Sequence, residues 1–279
     1  MHNSSLSQMV NNELHISHSQ IFTYLNCSLK YRFQYVENKP PERTSIALPF
    51  GSAIHAAIEM YYRGLKNHGQ IEPVKALCER FETCLELDLE HTDVPVLYKK
   101  DLPDHKATVE MGNAMLKVFH ENIAQTVQNA QEIVAVELPL TATLYTDDGQ
   151  PTDFKLVGIL DLVLRDDKGE ILVVDNKTAS KPMAQSTAGD SGQMTAYSWL
   201  IVGSGYVFPK SDVKCRFDIL RKLKKPKLEH VYTVRTAEDR KRFAKVSNGV
   251  LAAIEVGIFL PQPSWMCADC AYSEACKAW

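Results

Sequence analysis

The chain predicts an α/β fold, a central sheet with helices packed around it. Three observations lead there. The first half carries apolar residues at three- and four-residue spacing, the signature of helices with one buried face. From Glu132 the pattern changes to alternating, strand-like runs. Two of these runs, GILDLVL and ILVVDNK, leave and return across the turn RDDKGE, so they read as a hairpin inside the fold.

The first helix opens on Ser17 and Gln20, which read as a capping box, and runs to about Val36 with Ile21, Leu25, Leu29 and Phe33 along one side. Asn38-Lys39-Pro40-Pro41 stops it. A second helix starts near Gly51, carries Ile54, Ile58, Tyr61 and Leu65, and ends around Gly69. Residues 71–91 and 104–129 also read as helices. Strands follow over 132–145, 154–165 and 170–178, with Asp147-Asp148-Gly149 turning between the first two. A helix over 190–202, strands over 213–222 and 228–236, and a helix over 237–257 complete the pattern. With 279 residues, 45% apolar and 23% charged, the chain can bury a sizeable core, and a single globular unit over 1–279 is expected. Its parts are a helical region over about 17–131, a sheet core over 132–235, and a C-terminal helix and cysteine cluster over 236–279.

A formal charge of −3 gives no global attraction to nucleic acid, so any such binding must come from local basic patches. The first fifteen residues are polar and lack the apolar core of a signal peptide, and no stretch is long enough to span a bilayer. A cytoplasmic protein without membrane contact is expected. In that setting seven cysteines suggest metal ligation or burial more than disulfides.

The hairpin poses an electrostatic problem. Two-residue alternation puts Val157, Ile159, Asp161 and Val163 on one face of the outgoing strand, and Ile171, Val173, Asp175 and Lys177 on one face of the returning strand. If Asp167-Lys168-Gly169 forms a three-residue loop with Gly169 left-handed, Asp166 pairs with Glu170 and Asp161 with Asp175. Opposed carboxylates stand roughly 5 Å apart, and burial would force one to take a proton. A divalent cation between them, with the ammonium of Lys177 alongside, removes the conflict. The bland alternative is a solvated surface hairpin, against which the apolar runs VGILDLVL and ILVV argue.

Asp161, Asp175 and Lys177 resemble the three central positions of the PD-(D/E)XK nuclease superfamily, in which a metal-binding acid on one strand precedes an acid-x-lysine triplet on the next. The resemblance implies a restriction-endonuclease-like fold with a mixed central sheet, and one or two Mg²⁺ or Mn²⁺ ions hydrolysing phosphodiester bonds, with Lys177 orienting the water or offsetting charge on the phosphate. Gly51 and His55 fit the glycine-x-x-x-histidine element of the RecB-like branch, which supplies a further metal ligand. A lone helix histidine is more often structural. The family also implies a ligand in the main-chain carbonyl of Asn176. Glu137 matches an acidic position preceding the first ligand, and reads equally as a group orienting a water or as a strand-edge charge. Gln193 and Tyr197 resemble the glutamine-x-x-x-tyrosine element that contacts the DNA strand, though such a pair occurs by chance in many helices.

Cys267, Cys270 and Cys276 crowd the C-terminus and Cys27 lies on the first helix; four thiolates complete a zinc site or a cubane cluster, and spacing alone does not choose. One cysteine early and three late resembles the iron-sulfur RecB-like nucleases, including the CRISPR-associated RecB-like exonucleases and the AddB subunit, and so implies a structural [4Fe-4S] cluster rather than zinc, clasping the chain ends. Cys78, Cys84 and Cys215 read as buried unpaired thiols. Arg221, Lys222, Lys224, Lys225 and Lys227 form a basic run that is either a solvated turn or a phosphate-contact patch, and Arg240, Lys241, Arg242 and Lys245 could extend it. Tyr24, Tyr31 and Phe33 could stack on unpaired bases, although their spacing favours core packing.

Taken together, the resemblance implies a metal-dependent DNA exonuclease acting on single-stranded ends in recombination, repair or CRISPR adaptation. No helicase motif is present, so a helicase or integrase-type partner would do any unwinding. The alternative is a non-catalytic subunit that grips DNA ends.

Overall fold

A computed structural model describes residues 14–127 and 132–279. Six strands form one sheet: β1 (His15–Ser17), β2 (Glu132–Tyr145), β3 (Pro151–Arg165), β4 (Ile171–Ala179), β5 (Val213–Arg221) and β6 (Lys227–Arg235). Their order is β1-β3-β4-β5-β6, with β2 also paired to β3. The β2–β3, β3–β4 and β5–β6 pairs are antiparallel, while β1–β3 and β4–β5 are parallel, so the sheet is mixed as expected. The predicted hairpin register holds: Leu162 faces Val174, Arg165 faces Ile171, and the N–H of Asp166 donates to the carbonyl of Glu170 at 2.9 Å. Gly169 takes φ 80°, the left-handed position a three-residue loop requires.

Among the described residues, six helices of two or more turns cover the sheet: α1 (His18–Asn26), α2 (Ala47–His68), α3 (Val74–Glu90), α4 (His105–Val127), α5 (Gly192–Gly203) and α6 (Ala237–Glu255). The last positions expected for the fourth helix lie outside the described residues. On one face α1, α5 and α6 contribute Ile21, Leu200 and Phe243 to a core with Leu160 and Val173; on the other, α2, α3 and α4 pack Tyr61, Phe81 and Phe119 against Leu162 and Val174. The Ser17–Gln20 capping box is present, with both reciprocal hydrogen bonds. α2 ends on Gly69 at φ 64°.

Two expectations change. Strict alternation in β3 breaks at Asp161: Leu156, Leu160 and Val163 enter the first core, whereas Leu162 and Leu164 enter the second. Val157 and Val163 therefore do not share a face. Glu137 on β2 makes the matching kink at φ 49°, between Leu138, which packs on the first core, and Val136, which belongs to the second. The first helix is also not continuous to Val36. It stops at Cys27, which is extended (φ −164°, ψ 102°), and resumes as Ser28–Tyr31 and a π-helical Arg32–Val36. The reason is tertiary: the N–H of Leu29 donates to the carbonyl of Leu260, and that of Ser28 to the side chain of Gln262, so the distant chain end takes the place of helical partners.

Gly112 on α4 allows a close approach that tests the packing of the helical region. A Cβ there would stand 2.1 Å from Cζ of Phe81. Gly112→Ala is expected to lose about 1–3 kcal/mol of stability in a denaturant titration, with a smaller loss when Phe81→Leu makes room.

Candidate active site

The sheet forks where the acidic residues meet. β2 follows one edge of β3, and the other edge is shared, with β1 pairing at residues 155–157 and β4 at 162–165. The stretch 158–161 therefore has no ladder on that side. Asp161 stands at the end of the gap, and its Oδ2 accepts the N–H of Asn176 at 2.8 Å, which ties the two strands where their ladder stops. His55 approaches from α2, with Nδ1 3.4 Å from the same oxygen. Glu137 lies opposite Asp161, flanked by the pairs Val136–Leu162 and Leu138–Leu160. One ligand atom each from His55, Glu137 and Asp161 falls within 4.8 Å of the others.

Asp175 and Lys177 form the other half of the site. They point the same way, as alternation requires, and Nζ of Lys177 lies 2.8 Å from Oδ2 of Asp175. The remaining Asp175 oxygen accepts the side-chain amide of Gln193 at 2.9 Å, and that amide nitrogen also donates to the hydroxyl of Tyr197 at 3.0 Å. Asp175 is fully buried, whereas the Lys177 side chain is 35% exposed. The lysine is thus the part of the pair that a ligand can reach.

The electrostatics follow from burial. Desolvation, opposed by Lys177 and by the Asn176 N–H, pushes Asp161 up to about 6. Desolvation also pushes Asp175 up to about 6 against the pull of Lys177, with Asp161 adding to the rise. Glu137 reaches about 8, through desolvation and then repulsion from Asp161 and Glu59. Burial works against the Lys177 ammonium, but Asp175 and Asp161 overcome it and hold the group above the ordinary lysine value.

Three acids with raised pKa values bind more protons folded than unfolded, so without added divalent cation their contribution to stability is full below pH about 4 and is lost as pH rises through about 6 and then about 8. Melting temperature without added cation should fall between those limits. Excess Mn²⁺ should flatten the fall, since a cation binds the deprotonated groups. One imidazole and two carboxylates, converging and costly to charge alone, fit Mn²⁺ or Mg²⁺.

A family model described as the PD-(D/E)XK nuclease superfamily matches residues 15–277, nearly the whole chain. The chain belongs to that superfamily. A crystal structure from Eubacterium rectale named "Putative exonuclease" superposes on this PD-(D/E)XK chain with a TM-score of 0.60 at 11% identity, covering 99% of this chain and 91% of that one. A second solved structure, SSO0001, gives a TM-score of 0.37 at 12% identity over 92% of this chain and 97% of that one. No curated protein matches the chain. No helix among the described residues is long and apolar enough to cross a membrane.

Other candidate residues of this PD-(D/E)XK chain divide between buried, paired and exposed positions. Tyr197 is only 7% exposed, and with Gln193 it holds Asp175 instead of presenting a surface to a strand. Lys222 is not part of an open patch: its side chain is 8% exposed, 3.1 Å from Asp101 and 5.6 Å above the ring of Phe50. Arg221 is buried and pairs with both oxygens of Glu229, and Arg240 is buried among Ser198 and the carbonyls of Pro209 and Ser211. Tight pairing of these side chains leaves Lys224, Lys225 and Lys227 as the exposed cations of the β5–β6 turn. Tyr24, Tyr31 and Phe33 are all buried, so they belong to the core.

Cys27, Cys267, Cys270 and Cys276 line one cavity of about 410 Å³, formed where the chain end returns to the break after α1. Leu29, Phe33 and Tyr272 pack around it, and the carboxylate of Glu42 accepts the N–H groups of Glu274 and Ala275 at 2.9 Å each. Burial and then the nearby Cys27, Cys270 and Cys267 push the thiol of Cys276 up. The four cysteines share the lining of this cavity, but among the described residues no three of their sulfurs lie within 4.8 Å of one another. Cys215 is buried and pushed up to about 12 by desolvation, as an inert core thiol.

One site neighbour was not legible in the sequence. His18, at the first turn of α1, feels Lys177 electrostatically, and Nε2 would stand 3.2 Å from a Cβ on Gly192. Burial and then Lys177 lower it to about 4, so it is neutral at pH 7. Nothing marks it locally, because it follows a three-residue strand whose partner, residues 155–157, lies far along the chain.

Proposed function

We propose that this nuclease is a divalent-cation-dependent exonuclease of the RecB-like, iron-sulfur type, acting on single-stranded DNA ends in recombination, repair or CRISPR adaptation, with a helicase or integrase-type partner. The observation that carries the reading is the convergence of His55, Glu137 and Asp161 beside the Asp175–Lys177 pair at the open gap in the sheet. His55, Asp161 and Asp175 would hold Mg²⁺ or Mn²⁺, with the carbonyl of Asn176 as a further donor and Glu137 next to them. The bound cation would neutralise charge on a scissile phosphate and make a water more acidic.

The chain's own groups account for the rest. Lys177 keeps its proton and, being partly exposed, offers positive charge to a phosphate oxygen. Gln193 and Tyr197 fix the rotamer of Asp175, which in turn fixes Lys177. Lys224 and Lys225 would contact phosphates further along the strand, making binding salt-dependent. Support for the RecB-like branch lies in His55 on its helix and in the four cysteines lining one cavity, which would hold a [4Fe-4S] cluster, zinc being the alternative.

The test digests end-labelled linear and circular single-stranded DNA with Mn²⁺ or Mg²⁺. Cation-dependent loss of the linear strand alone is expected. A folded, cluster-loaded protein that cuts neither substrate would leave only an end-binding role, and cutting of the circle would replace the exonuclease with an endonuclease.

A further inference from the structure

We infer that an aromatic track leads from the catalytic lysine to the cysteine cavity and carries unpaired nucleobases, with Phe22 and Trp265 as its stacking surfaces. The inference rests on the nuclease reading of the neighbouring site and says which form of nucleic acid reaches it.

Three rings mark it. His18 packs against Gly192, whose missing side chain leaves room for the ring, and the next residue, Gln193, donates to Asp175, the partner of Lys177. One helical turn on, Phe22 lies with its ring centroid 5.8 Å from that of His18, tilted by 34°. Phe22 lines the cavity of about 410 Å³ together with Trp265 and Lys30. Phe22 is 53% exposed and Trp265 84% exposed. A lone exposed aromatic is ordinary; two on one cavity, joined by a third ring to the helix start that holds the Asp175–Lys177 pair, form a path with a direction.

The occupant follows from chemistry. Every base has a flat π face, and stacking on aromatic side chains is tolerant of sequence. Bases within a duplex are already stacked on one another and cannot use such a surface. Cations at both ends, Lys177 and Lys30, suit a strand with a phosphate between successive bases. Tyr24, Tyr31 and Phe33 are buried and cannot serve.

The test measures binding of a fluorescein-labelled oligothymidylate of about fifteen nucleotides to the full-length protein without added divalent cation. Phe22→Ala and Trp265→Ala should each weaken binding about 5- to 50-fold, and Trp265→Phe should stay within about twofold of wild type. Leu25→Ala, exposed on the same helix, serves as the control and should bind as wild type. The oligonucleotide should quench tryptophan emission in wild type and far less in Trp265→Phe, whereas a blunt duplex should do neither. Wild-type affinity in both alanine variants, or quenching that survives Trp265→Phe, overturns the track and leaves the rim to a protein partner or a second copy. Thermal melting of each variant separates loss of fold from loss of binding. Because the readout is binding, a protein that binds in this way yet never cleaves would defeat the nuclease reading and keep the track. A protein that cleaves while both alanine variants bind normally would do the reverse.

Discussion

Asp161→Asn is expected to abolish cation-dependent DNA cleavage, by at least about a thousandfold, while making the protein melt at a higher temperature without added divalent cation. The two effects share a cause. Asp161 is largely withdrawn from solvent close to Glu137 and Asp175, and the cost of its charge appears in all three raised pKa values. A neutral amide still offers an oxygen to the Asn176 N–H and removes that cost. The shift from 3.8 to about 6 sets an upper bound of about 3 kcal/mol on the gain above pH about 7, within reach of a thermal melt. The same substitution deletes an anionic group from the converging ligands, so cation-induced stabilisation should shrink along with activity. Lys177→Ala should lose about a hundred- to a thousandfold in rate, with melting lowered, because Asp175 is left buried without its partner. If either variant retained more than about a tenth of wild-type cleavage, the assignment of the site would fail.

A metal cluster in the cysteine-lined cavity should produce the second large effect. Wild-type protein should be brown, with broad absorbance near ~400 nm and stoichiometric iron and sulfide. Cys276→Ser or Cys27→Ser should lose the colour and lower the melting temperature by at least about 10 °C. The physical reason is loop closure. A cluster on these cysteines would join residues about 250 positions apart, and without it the chain end is tied to the break after α1 chiefly by hydrogen bonds at Ser28, Leu29 and Glu42. Freed of the clasp, residues 258–279 should become the first segment cut in limited proteolysis. Colourless protein with stoichiometric zinc would keep the clasp and change its metal, whereas metal-free wild type melting like the variants would remove it.

Much of this was legible in local pattern. The hairpin register needed only a left-handed Gly169 and two apolar runs, since a turn with one favoured geometry sets the pairing of everything beyond it. The α1 capping box needed only Ser17 and Gln20, whose hydrogen bonds close within one turn. The capped end of α2 needed only Gly69. The basic run misled because charge in sequence does not tell where a long side chain ends. Lys222 finds Asp101, Arg221 finds Glu229, and Arg240 finds carbonyls of a neighbouring loop. Tyr197 misled in the same way, being close to the site but sealed beneath Gln193.

By itself the sequence determined the α/β order, the pairing of the acidic hairpin, and the placing of Asp175 and Lys177 on one face, because these depend on neighbours a few residues apart. Tertiary structure alone decided the rest of the site. It set the gap between β1 and β4 that exposes Asp161, the kink that swings Glu137 toward His55, and the break at Cys27 that turns a thiol toward the chain end. Each depends on groups brought together from far apart along the chain. A buried charge or an interrupted helix is stable only where such a distant partner supplies the missing hydrogen bond or countercharge.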